Sequence, residues 1–323
     1  MRAGARLVLA PLMALVTLSG CALVGGSAPA PPAPPERDTL RVGVGSAIDT
    51  APLRMAVADG LFQRGGLRVE LVEQPSQDEA LAMLAAGRLD VAFASNVALF
   101  KAAAEGTELQ LQGEAYTAGR TTMALMRWPG STYTEPDEKR SPRIAVDAPD
   151  DLGTLATRSA LHSSGVDPER IRFVVLPADE LVPALRDGDV DAAWMMEPQI
   201  TQVQKEFGAR VLVDCARGAT LDFPVSSYAT TASFAQANRR TMELFRELLG
   251  QAQRYGADSV AVRRALPGLA DIDETTAALV SLGDYPVSPN GVRLQRVADL
   301  MHSSGLLTER LDVPALLPAA VPR

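Results

Sequence analysis

Met83-Leu84-Ala85-Ala86-Gly87-Arg88-Leu89-Asp90-Val91-Ala92-Phe93 returns later in the chain as Ala184-Leu185-Arg186-Asp187-Gly188-Asp189-Val190-Asp191-Ala192-Ala193-Trp194. Leu84 matches Leu185, Gly87 matches Gly188, Asp90 matches Asp191, Ala92 matches Ala193 and Phe93 matches Trp194, an offset of 101 residues. Each copy reads as the end of a helix, a glycine cap and a short apolar strand. Glycine suits that cap because it enters the left-handed conformation without a Cβ penalty. A unit repeated once at domain-sized spacing predicts two similar lobes; the period is too long for a solenoid.

Outward from the echo, strands and helices alternate. Residues 40–45 predict a strand, 52–63 a helix, 67–72 a strand and 77–86 a helix. Ser76 and Glu79 are placed as a capping box for that second helix. A strand at 91–94 and a helix at 96–104 follow, with Asn96 at the cap position. Residues 109–117 and 121–126 are strand-like, and 128–142 form an irregular loop. The alternation then restarts: strand 143–146, a helix capped by Asp150 or Asp151 and running to 162, strand 171–176, helix 178–186, strand 190–194, helix 197–207 and strand 210–213. A short strand at 228–231 precedes helices at 234–254, 259–265, 273–282 and 291–304. The expected class is α/β: two lobes, each a mainly parallel sheet flanked by helices, with a helical C-terminal tail. Crossovers near residues 118 and 224 would make lobe 1 of 39–118 plus 224–323 and lobe 2 of 119–223. A ligand would lie between the lobes, at the carboxyl ends of the strands.

The 323 residues are 47% hydrophobic and 22% charged, enough for one large or two medium globular units. Aromatics are scarce at 5%, so Ala, Leu and Val must build the core. The net charge is -8, and an acidic surface argues against nucleic acid or an anionic membrane surface as partner. Two cysteines, Cys21 and Cys215, support neither a disulfide framework nor a cysteine-based zinc site.

Residues 1–21 have a secretory design: Arg2 and Arg6 precede an apolar run from Leu7 to Leu18 that is short for a membrane span. The run ends in Leu18-Ser19-Gly20-Cys21, which resembles the bacterial lipobox, whose cysteine is lipidated. Residues 22–38 are rich in Gly, Ser, Ala and Pro. They cannot bury a core and would act as a tether spanning up to about 50 Å at roughly 3.1 Å per residue. Lipid, tether and body together place the body outside the cell membrane, anchored through Cys21. Cys215 is then expected as a buried free thiol.

Several stretches together resemble one family. They are Ala51-Pro52-Leu53, Ala58-Asp59-Gly60-Leu61-Phe62, Gly66-Leu67-Arg68-Val69-Glu70, the two echoes, Gly165-Val166-Asp167-Pro168 and Glu197-Pro198. In order and spacing the chain is similar to extracytoplasmic solute-binding proteins of ABC importers, in the nitrate, sulfonate, taurine and pyrimidine-precursor branch. The resemblance covers most of residues 39–310. It implies a type II periplasmic-binding fold that closes on its ligand by a hinge. It further implies a permease and an ATPase as partners, a small solute as ligand, no cofactor and no metal; the chain is expected to act as a monomer.

One departure bears on the ligand. Anion-binding members of that branch offer small hydroxyl residues and free helix N–H groups after the first strand of the second lobe. Here that loop is Asp147-Ala148-Pro149-Asp150-Asp151-Leu152-Gly153. Its acids, with Asp49, Glu197 and Asp222, favour a cationic, neutral or heteroaromatic solute, unless Asp150 and Asp151 only cap the helix.

The expected ligand-binding residues are Ser46, Asp49, Ser95, Asn96, Thr121, Thr122, Asp150, Trp194, Glu197 and Asp222. Ser46 and Asp49 follow the first strand, and Ser95 and Asn96 follow the Phe93 strand. Asn96 can cap a helix with its oxygen and still offer its amide. Thr121 and Thr122 sit near the first crossover, where turn chemistry is the alternative. Trp194 either stacks on a planar ligand or fills the core. Glu197 either binds a ligand donor or stabilises a helix start. The runner-up functions are a ligand sensor for a membrane receptor and an extracytoplasmic enzyme on the same scaffold. The enzyme reading has little support: there is no Gly-x-Ser-x-Gly elbow, His-Glu-x-x-His pair, P-loop or dinucleotide fingerprint, and there are only two histidines.

Overall fold

The computed structural model describes residues 34–319. The expected leader, Cys21 and most of the tether lie outside those residues. The first half contains β1 (Thr39–Val44), α1 (Ala51–Ala58), α2 (Leu61–Arg64), β2 (Arg68–Glu73), α3 (Gln77–Ala85), β3 (Ala92–Ser95), α4 (Asn96–Ala104) and β4 (Leu109–Thr117). The middle contains β5 (Met123–Arg127), β6 (Arg143–Val146), α5 (Leu152–Ser163), β7 (Arg172–Val175), α6 (Leu181–Asp187), β8 (Ala192–Met196), α7 (Gln199–Phe207) and β9 (Arg210–Asp214). Last come β10 (Pro224–Thr231), α8 (Ala232–Ala237), α9 (Arg239–Gln253), α10 (Ser259–Ala265), α11 (Glu274–Leu279) and α12 (Gly291–Ser303).

The strands form two arrays of matching design. In the first, β1 pairs in parallel with β2, and a parallel bridge from Val42 to Val91 links β1 to the sheet β3-β10-β4. The second array is the sheet β7-β6-β8-β5-β9. Position by position, β2-β1-β3-β10-β4 and β7-β6-β8-β5-β9 correspond. In both, the fourth strand runs antiparallel to its neighbours. That strand, β10 or β5, is the one that follows a change of sheet, at 215–223 or 118–122. The sheets are therefore mixed, with parallel pairing confined to the strands joined by helices. Inner strands β3 and β8 are almost wholly buried, whereas the edges β2 and β7 show exposed positions.

The echo is a structural joint. Asp90 Oδ2 accepts the Arg41 N–H at 2.8 Å, and Arg41 Nη2 donates to the Gly87 carbonyl at 2.8 Å. In the second array Asp191 Oδ2 accepts the Arg143 N–H at 2.7 Å, and Arg143 Nη2 donates to the Gly188 carbonyl at 2.9 Å. Gly87 and Gly188 both have positive φ, 65° and 78°. Asp90 and Asp191 thus do more than open strands: each clamps the start of the neighbouring strand to the helix end before it.

Some expected boundaries move. β10 starts at Pro224 rather than 228, and its buried hydroxyls disguise it in sequence. The helix expected at 197–207 starts at Gln199. The helix expected at 234–254 divides at Asn238, whose backbone leaves the helical region (φ -126°, ψ 48°) while its side chain donates to the Phe234 carbonyl. The cap of α4 is Ser95, which accepts the Ala98 N–H at 3.0 Å; Asn96 is already inside the helix.

The C-terminal region touches both arrays. Asp284 and Thr117 exchange backbone hydrogen bonds of 2.9 and 3.0 Å, and the Tyr285 hydroxyl donates to the Ile48 carbonyl. On the other side α11 packs against α7, and Lys205 pairs with Asp273. The segment crosses β4 so closely that a Cβ on Gly283 would lie 2.0 Å from the Thr117 carbonyl oxygen.

Candidate functional site

A cavity of about 790 Å³ opens between the two arrays. Its walls come from the loops after β1, β2 and β3 on one side and after β6, β7 and β8 on the other, so all six strands present their carboxyl ends to it. The antiparallel β10 contributes its start, Val225 and Ser226.

The β1–α1 turn is built to hold Asp49. Thr50 Oγ1 donates to the Ser46 carbonyl at 2.7 Å, and Arg54 donates to the Gly45 carbonyl while pairing with Glu73. Asp49 is only 3% exposed yet lines the cavity. Its oxygens accept from the Ser46 hydroxyl at 2.9 Å and the Ser226 hydroxyl at 2.7 Å. Burial pushes this carboxyl up to about 6, against the pull of the two hydroxyls.

Across the cavity, Asp151 stands at the N-cap of α5, where Thr154 and its own backbone exchange bonds of 3.1 and 2.8 Å. Its carboxylate reaches the first array: Gln77 Nε2 donates at 2.8 Å and the Ser95 hydroxyl at 3.1 Å. Gln77 is itself fixed, accepting the Ser95 N–H at 2.6 Å. Asp147 faces the same space on a concave wall. It keeps a wet surface while surrounding protein raises its carboxyl above the usual range. Trp194 packs its indole on the first turn of α5, where a Cβ on Gly153 would lie 2.8 Å from the ring. Phe93 supplies a second aromatic wall.

Of the expected residues, Ser46, Asp49, Ser95, Asp150 and Trp194 line the cavity. Asp150 is exposed with φ 50° and leaves the capping position to Asp151. The others lie outside its lining. Asn96 is fully buried and donates to the Pro224 carbonyl at 2.9 Å. Thr121, Thr122 and Glu197 gather at the crossover. The Glu197 carboxylate accepts from Thr201 Oγ1 at 2.8 Å, the Thr201 N–H at 3.1 Å and the Ser281 N–H at 2.9 Å. Thr121 Oγ1 lies 2.9 Å from Ser281 Oγ, and Thr122 Oγ1 donates to the Gly119 carbonyl. Asp222 is exposed at the second crossover with φ 48°. Chain position points these four residues to the cleft, but the side chains of Thr121, Thr122 and Glu197 satisfy backbone groups where the chain changes sheet.

Gln77, Asp151 and Ser226 are wall residues absent from the expected set. The strand-end rule that selected Ser46 and Ser95 also points to Gln77 after β2. Ser226 was hidden because β10 reads as starting later. Among the described residues no group of His, Cys, Asp and Glu is arranged to hold a metal ion, and no helix is long and apolar enough to cross a membrane.

The NMT1-like family model matches residues 33–267. The Taurine-binding periplasmic protein of Escherichia coli (strain K12) is 22% identical over 223 residues, 68% of this chain and 67% of its own length. The alkanesulfonate-binding protein SsuA from Xanthomonas axonopodis pv. citri, solved bound to MOPS, superposes with a TM-score of 0.71 at 20% identity, covering 88% of this chain and 99% of that one. The periplasmic nitrate-binding protein NrtA from Synechocystis PCC 6803 gives 0.70 at 15% identity, covering 88% and 86%. The structural likenesses show the periplasmic-binding fold.

Proposed function

We propose, because this chain belongs to the NMT1-like family, that it is the solute-binding component of an ABC importer, capturing a small organic solute between two lobes and handing it to a permease. The observation that carries this reading is the cavity itself: six strand ends from two matching arrays converge on it, and Asp151 bridges the arrays through Gln77 and Ser95. Residues 119–223 move as one lobe against 39–118 plus 224–323, with the crossovers and the 281–285 segment as the hinge. Binding without turnover is part of this reading, and the carboxylates of Asp49 and Asp151 are held by hydroxyl and amide donors. Cys21 carries the lipid that keeps the protein at the outer side of the cell membrane, and it acts as a monomer.

Thermal melts against pyrimidines, amines, sulfonates and nitrate test the reading. A ligand at about 100 times its Kd should stabilise the protein by about 2.7 kcal/mol. Product appearing in the ligand mixture, or no stabilisation by any class, would sink it. For the anchor, Cys21→Ser should release the protein from the membrane fraction; unchanged membrane association would refute the lipid attachment.

A further inference from the structure

The twelve-residue helix α5 points its N-terminus at the cavity, and such an end favours an anionic ligand. In this chain the place is already taken. The Asp151 carboxylate sits at the cap, and it draws in the donors that an incoming oxyanion would need: Gln77 Nε2 at 2.8 Å and the Ser95 hydroxyl at 3.1 Å. Both donors come from the opposite array, so this carboxylate makes the bridge a bound anion would make. Trp194 covers the adjacent turn, where a Cβ on Gly153 would lie 2.8 Å from the ring.

The rest of the lining has the same sign. Six carboxylates and one ammonium, that of Lys101, face the cavity. Asp49 lies at its floor and Asp147 on the wall beside Asp151. Between them the walls are apolar and aromatic, with Leu81, Phe93, Trp194 and Met196. A volume of about 790 Å³ with such walls suits an organic body rather than a bare ion. Aromatic faces add attraction for a cation, not for an anion. Gln74, also in the lining, has a buried Oε1 without a hydrogen-bond partner.

We infer that the cavity takes an organic cation with an apolar body, and that Asp151 is the specificity-determining residue: an internal carboxylate that occupies the oxyanion's place and closes the lobes in its stead. The inference rests on the solute-binding reading above and deepens it. Two consequences separate the roles of the acids. Asp49 and Asp147 attract the ligand's charge. Asp151 excludes the competing class, both by repulsion and by holding Gln77 and Ser95.

The test is a charge series on one ring, measured by calorimetry with the full-length protein: benzylammonium, benzyl alcohol and benzenesulfonate. The wild type should bind benzylammonium at least about tenfold more tightly than benzenesulfonate. Asp151→Ser should weaken the ammonium several-fold and tighten the sulfonate about tenfold, because it frees the helix end and both donors. Asp151→Asn keeps the side-chain volume and a capping oxygen, so it should shift selectivity in the same direction with a smaller change in melting temperature. A wild type that prefers benzenesulfonate overturns the cation assignment while leaving a solute-binding protein in place. Binding of none of the three at about 10 mM also overturns it, whereas the solute-binding reading falls only if the wider panel fails as well. Unchanged selectivity in both variants removes Asp151 from the specificity role.

Discussion

Asp49 shows how a residue of the cavity wall can oppose folding. Its carboxyl moves from 3.8 to about 6 because burial disfavours the charge more than the Ser226 and Ser46 hydroxyls favour it. The folded protein therefore holds this proton more tightly than the unfolded chain. Stability from this group is fully present below about pH 4, falls as pH rises toward about 6, and stays low above it. The shift corresponds to about 3 kcal/mol at neutral pH. Asp49→Asn removes that penalty but weakens two hydroxyl hydrogen bonds, each worth about 1 kcal/mol. We expect a net gain of about 1 kcal/mol near pH 7.5 that turns into a net loss near pH 4, where the penalty is nearly gone and the weakened hydrogen bonds remain, together with a loss of cation affinity. Denaturant melts at the two pH values check it. A variant no more stable at the higher pH, with the wild-type pH slope, would show that Asp49 is not the group responsible.

At the scale of the element, the repeated joint is the informative unit. Asp90 and Asp191 each accept the arginine N–H at a strand start, and the same arginine donates to the glycine carbonyl at the helix end before the aspartate. Both carboxylates are largely buried, but their Arg partners are more than a third exposed, so solvent screens the charge attraction. What remains is chiefly the buried hydrogen bond to a backbone N–H. Asp90→Ala and Asp191→Ala should each cost about 2 kcal/mol. Because the joints lie in different arrays, the double variant should lose the sum to within about 0.5 kcal/mol. Neither should alter ligand affinity, since neither residue lines the cavity. Strong non-additivity in urea melts would mean that the two arrays do not contribute independently.

For the whole molecule, the vulnerable region is the one proposed above as the hinge. Backbone from three stretches meets there: residues 117–119, 121–122 and 281–285. Gly283 passes the Thr117 carbonyl with no space for a side chain, and the obstructing atom is backbone, which cannot rotate away. Gly283→Ala should cost about 3 kcal/mol. It should also blunt the contraction that ligand produces in small-angle scattering, because the segment ties both lobes. A variant that melts like the wild type and contracts normally would exclude the segment from the hinge.

How much of this was legible beforehand depends on which forces act locally. Period and capping are local, so the α/β alternation, the two-lobe plan and the echo could be read from residues 39–213. The strand-end rule placed Ser46, Asp49, Ser95, Asp150 and Trp194 at a cavity for the same reason: a strand's carboxyl end is known once the strand is. Partners distant in sequence were not legible. Asp151 meets Gln77 across 74 residues and Asp49 meets Ser226 across 177, so composition gave an acidic cleft but not its arrangement. Glu197, Thr121 and Thr122 have the chemistry of ligand contacts, and only the tertiary structure engages them at the crossover, Glu197 and Thr121 with Ser281 and Thr122 with Gly119. The sequence by itself determined the elements, their order and the sign of the charge in the cleft, because these follow from neighbours along the chain. Only the tertiary structure decided which carboxylate faces open space and which already holds a partner, because that depends on hydrogen bonds closed between the two arrays.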